Sequence, residues 1–102
     1  MNESQLTTHI KKSLLRARPD MWLFKTHGSP MQSPGVPDLV GVIEGQFVAL
    51  EVKHPDSDHP VTLRQRHTID QITAAGGLAA VVSSVAEAKA VVLGDQGQIP
   101  QG

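Results

Sequence analysis

Two carboxylates and an amine, Asp38, Glu51 and Lys53, stand out as a set able to hold a cation and act on a phosphate ester. Asp38 follows Pro37 and leads into the run Leu39-Val40-Gly41-Val42-Ile43, while Glu51 and Lys53 close the run that starts Phe47-Val48-Ala49-Leu50. Glu44-Gly45 stands between the two apolar runs and supplies a turn residue tolerant of positive φ, so the segment reads as an antiparallel hairpin. With Glu44 and Gly45 as a two-residue loop, Ile43 lies opposite Gln46, and counting outwards places Asp38 opposite Glu51 on one face. Alternation keeps Lys53 on the face of Glu51 and turns Val52 away. Carboxylates opposed at about 4.5–5.5 Å between their Cβ atoms repel, and a divalent cation between them is the simplest relief. Two carboxylates and a few waters suit Mg²⁺, a hard ion that keeps part of its hydration shell, and Lys53 adds a fixed positive charge. The chemistry that fits is hydrolysis of a phosphodiester. An Asp after Pro is an ordinary turn residue, and a Glu two before a Lys is often a solvated strand face. The two pieces gain weight together because both strands are apolar on both faces, so the charges fall at the end of a buried hairpin.

Other elements must hold this hairpin. Asn2 can cap a helix whose apolar positions Leu6, Ile10, Leu14 and Ala17 recur at helical spacing, and Pro19 ends it by biasing Arg18 away from helix. Glu3 is in phase with that stripe. At a helix N-terminus it reads equally as a carboxylate delivered to the site and as a simple first-turn acid. Met21 to Lys25 reads as a first strand, and Thr26 to Val36 as a long loop rich in Gly, Pro and Ser that could contact substrate or close over it. Lys25 and His27 flank its start, within reach of a phosphate. After the hairpin comes a polar loop from His54 to Val61. A helix from Thr62, its N-cap, to Ala75 follows, with Gln65 in its first turn and Gly76-Gly77 at its end. Leu78 to Val82 returns as a buried strand, Ser84 and Glu87 fit a capping box, and a final helix runs to about Leu93. Residues 94–102 are polar and glycine-rich and are expected to fray. The order is α-β-β-β-α-β-α, with no internal repeat.

Composition bounds the possibilities. A chain of 102 residues that is 39% hydrophobic suits a single domain, 1–102, with one core. With no cysteine there is neither a disulfide framework nor a thiolate metal site. No apolar stretch is long enough to span a bilayer and no signal-peptide pattern opens the chain, so a cytoplasmic location is expected. The formal charge of −1 gives no global support for nucleic-acid binding. The basic residues are nevertheless grouped: Lys11, Lys12, Arg16 and Arg18 on the first helix and its end, Arg64 and Arg66 at the start of the second. Such patches can bind phosphate locally, although each residue singly reads as a solubilising helix face. The five histidines form no helical metal-ligand pair with a nearby acid, and only His54, next to Lys53, adjoins the carboxylates.

The chain resembles the PD-(D/E)XK nuclease superfamily, and within it the small stand-alone VRR-Nuc (virus-type replication-repair nuclease) domains of phage and bacteria. The resemblance spans nearly the whole chain. It is carried by Glu3, Lys25-Thr26-His27-Gly28, Gly35-Val36-Pro37-Asp38-Leu39, Glu51-Val52-Lys53, Thr62 with Gln65, and Ala75-Gly76-Gly77 before Val81-Val82. It implies an α/β fold with a restriction-endonuclease-like core, a mixed β-sheet flanked by helices. It implies a metal-dependent endodeoxyribonuclease of bacterial or phage-infected cells, similar to Holliday junction resolvases and active in DNA repair. Asp38, Glu51 and the Val52 carbonyl would hold Mg²⁺ or Mn²⁺, with Glu3 as a further candidate ligand. Lys53, Gln65 and Glu3 would complete the catalytic set, and Lys25, His27, Lys11, Lys12, Arg64 and Arg66 would contact DNA. Branched DNA, as flaps or four-way junctions, is the expected substrate and a homodimer the expected assembly. The competing readings are a catalytically silent nucleic-acid-binding module with the nuclease fold, and a plain α/β partner-binding domain.

Overall fold

The computed structural model describes residues 1–26 and 34–94. Most of the expected loop after Thr26, with His27 in it, and the tail after Gly94 lie outside the described residues. The elements are α1 (Glu3–Ala17), β1 (Trp22–Lys25), β2 (Leu39–Ile43), β3 (Gln46–Val52), α2 (Leu63–Ala74), β4 (Leu78–Val82) and α3 (Val85–Leu93), in the expected order. One four-stranded mixed sheet runs β1-β2-β3-β4. The first three strands are antiparallel, and β4 joins β3 in parallel after the α2 crossover.

Local chemistry explains most boundaries. In α1 the Asn2 side chain accepts the Gln5 N–H while Gln5 reaches back to the Asn2 N–H, a capping box that satisfies two of the helix's orphan donors. Thr62 and Gln65 build the same box at the start of α2. At α3, Ser84 accepts the Glu87 N–H, but the Glu87 carboxylate reaches past the cap to Ser83 N–H, so the expected reciprocal box is displaced by one residue. The hairpin turn is the two-residue one: Ile43 pairs with Gln46, and Glu44 and Gly45 have φ of 50° and 78°. Positive φ at both central residues marks a twist-matched primed turn. The second strand of the hairpin runs through Glu51 and Val52 as expected, and these two residues pair with Val81 and Val82 of β4.

The sheet has two different faces. Leu39, Ile43, Val48, Leu50 and Val52 point to one of them and form the core with Leu6, Ile10 and Leu14 of α1 and Ala88 and Val92 of α3. Alternation sends Val40, Val42, Phe47, Ala49 and Glu51 to the other, where α2 packs against β3 and β4 and buries Ile69. The strand pair β1-β2 approaches so closely at Gly41 that a Cβ there would stand 2.0 Å from the Trp22 carbonyl oxygen.

Candidate active site

The β2-β3 ladder ends at Leu39↔Leu50, and Asp38 and Glu51, the next residue on either side, line the same cleft on the α2 face at the open end of the hairpin. Asp38 Oδ2 accepts the Val52 N–H at 2.8 Å, which fixes its carboxylate across the hairpin. Lys53 donates its N–H the other way, to Val82 O at 2.9 Å. Because the N–H and C=O of one strand residue point to the same side, the Val52 carbonyl is turned towards Asp38 as well. The donor set at this corner is therefore all oxygen.

Glu51 is 4% exposed. Burial first, and then the charge of Asp38, push its carboxyl up to about 8, against which the nearby Lys53 charge works; a side-chain hydrogen bond to Asp38 and the more distant Glu3 add to the rise. Metal-free, the pair thus shares a proton over much of the neutral range. A hard divalent cation fits here, since it removes the opposition to the second negative charge and takes oxygen ligands. Among the described residues no three His, Asp or Glu side chains form a cation site by themselves, so a cation held by this pair would keep water in its shell.

Gln65 is the most specific neighbour. Its Oε1 accepts Thr62 N–H at 2.9 Å and its Nε2 donates to Glu51 Oε2 at 2.9 Å. One side chain caps α2 and holds the carboxylate. Since Thr62 N–H can only donate, it requires the amide oxygen, and the amide nitrogen is left facing Glu51. Glu3 reaches the other rim: its Oε2 accepts the His54 N–H at 2.9 Å, and with Ser4, Thr7 and Asp38 it lines a small cavity of about 60 Å³. Glu3 therefore lies beside the pair without converging on it. The His54 Nδ1 accepts Asp56 N–H, and the ring serves its own loop.

A cleft of about 400 Å³ opens over the carboxylates, lined by Thr26, Pro34, Gly35, Val36, Asp38, Glu51 and Gln65. Thr26 extends the β1-β2 pairing through its N–H to Asp38 O at 2.9 Å, and its buried hydroxyl donates to Pro37 O at 2.7 Å. It was not among the residues expected at the site, although its phase with Phe24 would have turned it to this face. Of the basic residues, Arg64 lies along the cleft rim, where its stem packs on Gly35, and Arg66 is exposed on the same helix. Lys11 and Lys12 stand two to three turns along α1 from Glu3, about 12–14 Å away along the axis, and are not brought to the cleft. The Lys25 ammonium is engaged with Ser4 and Thr8 of α1. A roomier depression of about 520 Å³ lies at the turn end of the hairpin, beside Arg18, whose guanidinium already pairs with Asp20 and Glu44.

A solved structure described as a VRR_NUC domain superposes on this chain with a TM-score of 0.66, covering 91% of this chain and 97% of that one at 18% identity. This chain has the VRR-Nuc fold. No family model matches the sequence, and no curated protein matches it. The VRR-Nuc fold accounts for the mixed sheet and its three helices. Among the described residues no helix is long and apolar enough to cross a membrane.

Proposed function

We propose that this chain is a Mg²⁺- or Mn²⁺-dependent endonuclease that hydrolyses phosphodiester bonds in branched DNA. The observation that carries the reading is the pairing of half-buried Asp38 with buried Glu51, held by Val52 N–H and Gln65, at the floor of an open cleft. Asp38, Glu51 and the Val52 carbonyl would hold the cation. When bound, it supplies Lewis acidity and lowers the pKa of attached water. Lys53 contributes a fixed positive charge beside Glu51, suited to orienting the attacking water and balancing charge on the phosphorane-like transition state. Gln65 keeps Glu51 in place by donating to one of its oxygens, and Glu3 borders the same corner. Arg64, on the cleft rim, and the exposed Arg66 would meet the DNA backbone, with His27 joining them in the reading from sequence.

Shape is favoured over base sequence as the recognised feature, because a domain of this size has few side chains to spare for reading base edges. A two-fold homodimer would present two clefts to a four-way junction. The test is a panel of labelled single-stranded, duplex, flap and four-way-junction DNAs, each with Mg²⁺, Mn²⁺ and chelator. Cleavage of branched substrates that requires metal, and is lost in folded Asp38→Ala, Glu51→Ala and Lys53→Ala proteins, is the expected result. DNA binding unchanged by chelator, with no product under any condition, would instead indicate a silent binding module.

A further inference from the structure

Lys25 stands at the start of the Lys-Thr-His-Gly stretch and reads from sequence as a phosphate contact, yet its strand points it elsewhere. It is two residues from Leu23, which is buried in the core beneath α1, and its register partner is Leu39, fully buried on the same face. Asp38 and Glu51 occupy the opposite face. From this position the Lys25 Nζ donates to Thr8 Oγ1 at 2.8 Å, Ser4 Oγ at 2.9 Å and Ser4 O at 3.2 Å. An ammonium has three N–H groups, so all are engaged. Among the described residues it has no carboxylate within ion-pair distance. The N-terminal half of a helix disfavours a cation, so helix electrostatics give no reason for this placement. What the contacts secure is the first turn of α1, a region that otherwise frays, and Ser4 directly follows Glu3. Glu3 is fixed at its far end by His54 N–H and at its backbone by Thr7 Oγ1, which donates to its carbonyl.

We infer that Lys25 is a positioning residue: it clamps the first turn of α1 to the sheet and so sets the Glu3 carboxylate at the rim of the Asp38–Glu51 site, without contacting DNA. The catalytic consequence rests on the proposed nuclease reading, whereas the clamp itself does not.

Three sets of variants in the full chain separate the possibilities. Lys25→Met removes the donors and keeps the stem; Ser4→Ala with Thr8→Val removes the hydroxyl acceptors and keeps the charge; Glu3→Gln removes the carboxylate being positioned. Three readouts apply to each: kcat and KM on the best-cleaved branched DNA, the salt dependence of DNA binding in chelator, and hydrogen exchange at the Leu6 and Thr7 amides. The first two variants are expected to lower kcat by similar factors, on the order of 10- to 100-fold, with KM and the salt slope unchanged. Lys25→Met should add nothing in the Glu3→Gln background, and both clamp variants should speed exchange in the first turn. A Lys25→Met protein that binds DNA more weakly with a salt slope lower by about one, beside an unaffected Ser4→Ala/Thr8→Val protein, overturns the inference. If the wild type cleaves none of the DNAs, the nuclease reading fails by itself, and the exchange rates still decide the clamp: unaltered exchange in both variants sinks it.

Discussion

Glu51 concentrates the physics of this site because it is ionisable, buried and faced by Asp38, and its protonation must therefore register in stability. In the unfolded chain its carboxyl returns to about 4.5, while in the metal-free fold it is pushed up to about 8. Between those values the folded state binds the additional proton. Stability contributed by Glu51 is thus fully present below about 4.5, falls as pH rises through the window, and levels off above 8. Each unit of such a shift corresponds to about 1.4 kcal/mol, which makes the effect visible in a melt. Thermal unfolding in chelator from pH 4 to pH 9 should show this decline, and Glu51→Gln should flatten it. A cation held by the ionised pair reverses the sign, so the rise in Tm on adding Mg²⁺ or Mn²⁺ should grow with pH up to about 8. A metal-induced Tm shift independent of pH, or the same shift in the Glu51→Gln protein, would remove the pair from the cation site.

At the scale of elements, the hairpin delivers the carboxylates, and its geometry depends on Gly41 as much as on the turn. A Cβ at position 41 meets the Trp22 carbonyl oxygen at 2.0 Å and Leu23 Cδ2 at 2.9 Å, and the first of these is backbone that cannot step aside cheaply. Gly41→Ala should destabilise the fold by about 1–3 kcal/mol, an overpacking cost, read as a lower midpoint in urea; an unchanged midpoint would show that β1 and β2 separate freely. The hairpin was legible in the sequence because Glu44-Gly45 between apolar runs admits one short-turn register, and that register, which pairs Leu39 with Leu50, brings Asp38 and Glu51 to the same end and face of the hairpin. The helix starts were legible from Asn2, Thr62 and Ser84 for the same local reason, that each side chain can satisfy an orphan N–H. What was not legible depended on tertiary direction. Lys25 has the composition of a phosphate contact, but only the strand register reveals that it faces α1. Thr62 and Gln65 have the spacing of a capping box, but that the same amide turns its nitrogen to Glu51 follows only from how α2 packs on β3.

For the molecule as a whole, the sheet is covered unequally. The core face carries two helices, whereas on the opposite face α2 lies over β3 and β4 alone, leaving Trp22 60% exposed and Val42 and Phe47 each 42% exposed. These three are neighbours across the register, Trp22 beside Val42 and Val42 beside Phe47, with Phe24 stacked on Trp22 at 5.9 Å. A contiguous apolar strip of this kind is a common sign of a protein contact surface, and it supports the proposed two-fold homodimer because one self-complementary patch suffices for such an interface. The strip lies towards the turn end, about 13 Å along β3 from Glu51 to Phe47, so pairing through it would leave both clefts open. Sedimentation velocity at micromolar concentration should give a dimer for the wild type and a monomer for Trp22→Lys/Phe47→Lys, with the circular dichroism spectrum unchanged. On DNA the monomeric variant should still nick flaps in Mg²⁺ but lose coordinated incision of both strands of a four-way junction. A wild type that sediments as a monomer would remove paired incision from the proposed function and leave the Asp38–Glu51 chemistry intact.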